Sequence, residues 1–242
     1  MTGPASPPPD LSAFPGVTPR HPLPGGNRNS VWLVDTPVGP AVAKTTTRSE
    51  DQLHWLLPLQ EAARAAGFRV PALIPAPDGR LGPGGTTLEP FVAGASAHPR
   101  NLPALLPRLQ AMHRATVHLP QRPGFASARA LLTVGRGGDV DLSSIPPDLA
   151  EACRAAWARL TGAECAIHGD ITPDNILMTP EGPALIDWDE ARRDLPVFDT
   201  MACRTASPVQ ACARLAWEIA ACWTVEPDRA RRLAGSLTGA EP

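Results

Sequence analysis

The sequence predicts an α+β protein of two lobes, a small antiparallel sheet carrying one helix followed by a mainly helical half. Three observations carry that expectation. Short apolar runs bounded by Gly and Pro fill the first ninety residues, long Ala- and Leu-rich stretches fill most of the rest, and the character changes over "EPFVAG", residues 89–94. With 242 residues and 43% hydrophobic content, the chain is long enough to bury a real core. The expected boundaries are a Pro-rich tail over 1–22, a first lobe over 23–90 and a second over 91–242.

Taken in order, the tail holds many prolines and few large apolar groups and is expected to stay disordered, outside the fold. "SVWLV" and "AVAK", separated by the turn text "DTPVGP", predict a hairpin. "SEDQLHWLLPLQEAARAAG" predicts a helix stopped by Gly67, with Pro58 inside it as a kink or break. "PALI" and "TTLE" read as two further strands. In the second half "NLPALLPRLQAMHRATVHL" and "PPDLAEACRAAWARL" are helical, and "NILM" and "ALID" form a hairpin around "TPEGP". Two helices close the chain, "SPVQACARLAWEIAACW", capped by Ser207 with Pro208 in its first turn, and "PDRARRLAGSL". Residues 120–145 give no firm pattern.

Charge and composition exclude several function classes. A net charge of −2 provides no basic field, so nucleic acid and anionic membranes are disfavoured as partners. The N-terminus lacks a secretory pattern and no apolar stretch is long enough to span a bilayer, so a cytoplasmic location is expected. Five cysteines, an odd number without a C-x-x-C pair, read as reduced core residues. Lys44 is the single lysine among 22 basic residues.

"AIHGDITPDNILMTPEGPALIDWDEARRD", residues 166–194, gathers the chemistry. His168-Gly169-Asp170 is followed by Asn175 five residues on and by Asp187 seventeen residues on. This order and spacing resembles a kinase catalytic loop followed by its metal-binding aspartate. An aspartate on the loop can accept a hydroxyl proton, an asparagine where the chain enters a strand points back at the same space, and the return strand delivers Asp187 to the far side of a metal ion. With Gly at the second position and "IDWD" in place of D-F-G, the text is similar to the aminoglycoside phosphotransferase family, whose members have the protein-kinase-like fold.

That resemblance implies roles residue by residue. Asp170 would be the catalytic base, and Asn175 and Asp187 would hold Mg²⁺. His168 would buttress the loop, and "DLPVFDTMA" resembles family text that makes Asp199 a brace for the loop backbone. Lys44, ending "AVAK", would meet the phosphates of ATP. Its acidic partner is either Glu50 or Glu61, which share a helix face, with Glu50 preferred. "LPGGNRNSVW" occupies the place of the phosphate-covering loop, where Gly25 and Gly26 let the backbone approach the nucleotide and Asn27, Asn29 and Ser30 offer donors. "TTLEPFVAG" resembles the adenine-binding hinge, with the carbonyl of Glu89 and the N–H of Phe91 facing the base. His113 reads as core beneath the site.

The leading expectation is an ATP-dependent, Mg²⁺-using phosphotransferase acting on a hydroxyl of a small molecule. A nucleotide-binding regulator with the same fold is the alternative, and a metal-dependent hydrolase using His168, Asp170, Asp187 and Asp189 is a third. Asp189, Glu190 and Asp194 are either acceptor contacts or a solvated acidic turn. The acceptor's identity, the choice of ATP over GTP and the oligomeric state stay open at this level.

Overall fold

Side-chain alternation builds the first lobe. In β3 (Gly39–Thr45) Ala41 and Ala43 are buried, so Val42 and Lys44 project from the other face. The computed structural model, which describes residues 7–24 and 29–238, pairs β1 (Thr18–Pro22), β2 (Val31–Thr36), β3 and β4 (Thr86–Pro90) as one antiparallel sheet in that order. Register sets Lys44 opposite Val31 on one side and opposite Thr87 on the other.

Two expectations are corrected here. Residues 7–22 are not a tail outside the fold: β1 is the edge strand of the sheet, and Phe14 packs into the small core of Val34, Ala41, Ala43 and Leu88. An edge strand tolerates Pro19 and Pro22 because its outer side needs no donors. "PALI" is not a strand. Ile74 N–H donates to the Leu88 carbonyl at 2.7 Å, but Pro71 and Pro75 lack the donors a ladder requires.

The predicted single helix is split at Trp55 into α1 (Glu50–His54) and α2 (Leu56–Ala65). Pro58 accounts for the break, since it cannot donate to the carbonyl four residues back. Ser49 and Gln52 close a capping box at the start of α1. Leu53, Leu56 and Leu59 share one buried cluster with Leu109, Met112 and Trp188, so the helix pair is fixed to the second lobe as well as to the first.

The second lobe begins with β5 (Ala95–Ser96) and a 3-10 turn over Pro99–Leu105, which shortens the long predicted helix to α3 (Leu106–Ala115). Then follow β6 (Arg136–Gly137), β7 (Val140–Asp141), α4 (Pro147–Ala158) and β8 (Cys165–Ile167). The predicted hairpin is β9 (Ile176–Thr179) with β10 (Gly182–Leu185), in the order β10-β9-β5. Next come β11 (Arg192–Asp194), antiparallel to β8, and α5 (Val197–Thr200), and the chain closes with α6 (Pro208–Cys222) and α7 (Pro227–Thr238). A core of Trp157, Phe198 and Trp217 joins α4, α5 and α6, with Trp217 at 6.0 Å and 5.6 Å from the other two rings. The two-lobed α+β class is as predicted. All five cysteines are free and four are buried. Among the described residues no helix is long and apolar enough to cross a membrane.

Candidate active site

The catalytic-loop text folds around one buried carboxylate. Asp199, fully buried at the start of α5, accepts the N–H groups of His168 at 3.0 Å and Gly169 at 2.8 Å, and its Oδ2 lies 2.8 Å from His113 Nε2. Burial pushes this carboxyl up, but the His113 hydrogen bond and the Gly169 N–H outweigh it and hold Asp199 below its ordinary value. His168 donates through Nε2 to the Ile186 carbonyl at 3.0 Å, while its Nδ1 accepts from Asp170 N–H at 3.3 Å. Only glycine fits between His168 and Asp170. Its φ is +87°, and a Cβ there would stand 2.4 Å from the Glu190 carbonyl oxygen.

Asn175 closes the loop by donating Nδ2 to the Asp170 carbonyl at 3.0 Å and to its Oδ2 at 2.7 Å. With the nitrogen so occupied, the amide oxygen is the end available to a cation. The β9–β10 hairpin then returns the chain, and Ile186 N–H donates to the Asn175 carbonyl at 3.1 Å. Asp187 follows with φ of +63°, the only left-handed residue other than glycine among those described. That backbone twist turns its carboxylate towards the first lobe.

Lys44 answers from across the cleft. Its Nζ lies 2.5 Å from Asp187 Oδ1 and 2.8 Å from Asp189 Oδ2. Burial disfavours the ammonium, but the two carboxylates win and raise its pKa. Asp189 is itself held below its ordinary value, because Lys44, Arg48 and Arg122 more than offset burial. Asn29 adds a further hydrogen bond, Nδ2 to Asp189 Oδ2 at 2.7 Å. A cleft of about 780 Å³ opens between these groups, running from Pro90, Phe91 and Val92 past Lys44, Asp170 and Asp187 to Glu218 and Arg229.

Several predicted site residues fall elsewhere. Glu50 does not pair with Lys44: its carboxylate accepts the N–H groups of Leu81 at 2.9 Å and Gly82 at 2.8 Å. Glu61 is exposed and pairs with Arg64 at 3.2 Å. Ser30 turns its hydroxyl to the Pro7 carbonyl at 2.7 Å and is not at the cleft, whereas its neighbour Asn29 is. Gly25, Gly26 and Asn27 lie outside the described residues.

The backbone groups expected at the hinge are engaged within the sheet. Phe91 N–H is spent inside the sheet on the Pro40 carbonyl at 3.0 Å, so it is not the expected free donor. An antiparallel ladder alternates, so Glu89, opposite Val42, has its backbone turned to β3, and Pro90 has its carbonyl turned outward. The Glu89 side chain lines the cleft. Burial, reinforced by Asp187 and Asp189 and opposed by Lys44, pushes its carboxyl up to about 7.

A sequence profile of the phosphotransferase enzyme family matches residues 20–233. The chain belongs to this family. No curated protein matches the sequence. Among solved structures, this phosphotransferase-family chain is similar to a thermostable mutant of aminoglycoside phosphotransferase APH(4)-Ia in ternary complex with ADP and hygromycin B, at 12% identity and TM-score 0.62, covering 96% of this chain and 98% of that one. It is similar to amicoumacin kinase hAmiN in complex with AMP-PNP, Ca²⁺ and Ami, at 11% identity and TM-score 0.61, over 93% and 88% of the two chains. Spectinomycin phosphotransferase APH(9)-Ia, in complex with ADP and spectinomycin, matches at 11% identity and TM-score 0.55, over 93% and 89%. At such identities the likeness is one of fold, and the fold is protein-kinase-like.

One residue of this phosphotransferase-family site escapes a reading of the sequence. Arg122, from the stretch without a pattern, is fully buried and donates to the carbonyls of Trp188, Asp189 and Ala191 at 3.3, 2.9 and 3.0 Å, and to that of Gln52 in α1 at 3.1 Å. It lies over the Phe125 ring at 4.5 Å, and burial with the nearby Arg48 charge brings its pKa down to about 10. The text "QRPGF" is short, polar and Pro-broken, and nothing in it marks a clamp on a loop more than sixty residues away.

Proposed function

We propose that the chain is an ATP-dependent phosphotransferase that moves the γ-phosphate to a hydroxyl of a small molecule. The observation that carries this reading is the meeting of Lys44 with Asp187 at 2.5 Å across the cleft, beside the Asp170–Asn175 pair. Lys44 would release one carboxylate and take the phosphates of the nucleotide. Asp170, steadied by Asn175, would accept the proton of the acceptor hydroxyl. The Asn175 amide oxygen and the Asp187 carboxylate fit a magnesium ion, which takes few protein oxygens and completes its shell with water and phosphate. Bound there, the ion would neutralise charge shifting between the phosphates. Asn29 offers its amide from the loop above Lys44.

At the hinge, the Pro90 carbonyl and the Val92 N–H, which has no hydrogen-bond partner among the described residues, are the groups proposed to meet the base. The far wall of the cleft is balanced in charge. Arg214 pairs with Glu218 at 3.1 Å, and Arg229 lies 3.3 Å from Glu218 and 3.5 Å from Glu226. A wall of this kind suits a small neutral or mixed-charge acceptor better than a polycation. The hydrolase alternative lacks a ligand set. Among the described residues no three His, Cys, Asp or Glu side chains converge to hold a metal, and both nitrogens of His168 are engaged.

Screening hydroxyl compounds for acceptor-dependent ADP release by the purified chain tests the proposal. Release above the rate with ATP alone, lost in Asp170→Asn, is the expected result. ATP binding without transfer to any acceptor would move the chain to the regulator reading.

A further inference from the structure

We propose that Asp189, and not a glutamate of the helix after β3, is the acidic residue that positions Lys44. This rests on the phosphotransferase reading and names the positioning residue of that site. Lys44 needs a partner that stays with it when the nucleotide arrives. Neither helix glutamate can serve as the chain is folded, because Glu50 is bonded to two backbone N–H groups of the Leu81–Gly82 turn and Glu61 points to solvent with Arg64. Asp187 is half-exposed, at 45%, and is the residue suited to turn towards a cation.

Asp189 has the opposite character. Its Oδ2 is held by Lys44 at 2.8 Å and Asn29 at 2.7 Å, and its carbonyl by Arg122 at 2.9 Å. Arg122 also takes the carbonyl of Gln52 in α1. The helix that would have supplied the glutamate is thus tied to Asp189 through a buried guanidinium. Its own acid caps a turn, and the lysine's partner comes from the second lobe. Asp187 and Asp189 then divide the labour: one carboxylate leaves the ammonium for the cation, and the other keeps it in place.

Because Lys44 is the only lysine, an amine-directed acylating reagent reads its engagement without ambiguity. The full chain and its D189N, D189E, E50Q and E61Q variants are treated with N-hydroxysulfosuccinimidyl acetate in the absence of nucleotide and metal, and acylation of the Lys44 peptide is followed by mass spectrometry. D189N is expected to speed acylation about threefold or more and D189E to restore most of the protection, while E50Q and E61Q leave the rate unchanged. In turnover, D189N is expected to lower kcat about tenfold with KM for the acceptor unchanged, and D189E to recover part of it. Faster acylation in E50Q or E61Q overturns the assignment, and those two arms decide it even if D189N does not fold. Unchanged acylation in D189N, with only a higher magnesium requirement in turnover, also overturns it, making Asp189 a metal ligand instead. The acylation arm needs no catalysis. A chain that transfers no phosphate but shows Asp189-dependent protection therefore refutes the proposed function alone, and an active enzyme without such protection refutes this inference alone.

Discussion

The Asp170–Asp187 hairpin of the second lobe and the lysine strand of the first meet in one cleft, yet they are held there in different ways. From His168 to Asp199 the chain supplies most of its own fixings: Asn175 grips Asp170 five residues back, His168 caps Ile186, and one buried aspartate takes two successive N–H groups. Lys44 is aimed by strand alternation, but what it meets is decided by partners 143 and 145 residues away. A site built from short-range spacing is fixed by local geometry. One built by opposing lobes depends on how every intervening element packs.

Substitutions on the two sides should therefore differ in kind. Asp170→Asn is expected to lower kcat about 10²–10⁴-fold while Mg-ATP affinity stays near that of the parent chain, measured by steady-state kinetics and calorimetry. A fall in affinity with kcat unchanged would remove Asp170 from the chemistry. Asp199→Ala should lower stability by about 3–5 kcal/mol in urea unfolding, since it strands the N–H groups of His168 and Gly169 and the buried His113. A loss under about 1 kcal/mol would show that the loop does not need its brace.

On the first lobe, Phe14→Ala is expected to cost about 3 kcal/mol, because Phe14 is 4% exposed in the small core. An unchanged unfolding midpoint would return the N-terminal residues to the role of a loose tail. The smallest effect is a pH dependence. The Glu89 carboxyl at about 7 lies above its ordinary 4.5, so the folded state keeps a proton that the unfolded chain releases. That stabilisation is full below about pH 4.5 and is lost as pH rises through 7 in the free protein. Glu89→Gln should flatten the slope of unfolding midpoint against pH, and a slope that persists would place the titrating group elsewhere.

The same contrast explains what could be read from the sequence. Asp170, Asn175 and Asp187 were legible because their spacing within one hairpin leaves few ways to fold, and the structure brings all three to the cleft. Lys44 was legible by rarity and by its place at the end of the strand text "AVAK". The partner of Lys44 was not, since helical spacing puts Glu50 on a face without revealing that Leu81 and Gly82 wait there with free N–H groups. That Phe91 N–H is already engaged was not legible, because ladder register depends on β3 as much as on β4. Prolines disguised β1, as edge strands admit them and disordered tails are rich in them. Arg122 carried no signal, because its four acceptors are backbone carbonyls, which every sequence has.

A phosphotransferase of this kind needs Lys44 and the Asp187 side of the hairpin to form one nucleotide cleft. Calorimetric titration of the purified chain with ATP in the presence of Mg²⁺, repeated on Lys44→Ala and Asp187→Asn, tests it most directly. Binding in the parent chain, weakened about tenfold or more in both variants, is the predicted result. Absence of binding in the parent chain, or binding that neither substitution disturbs, would contradict it.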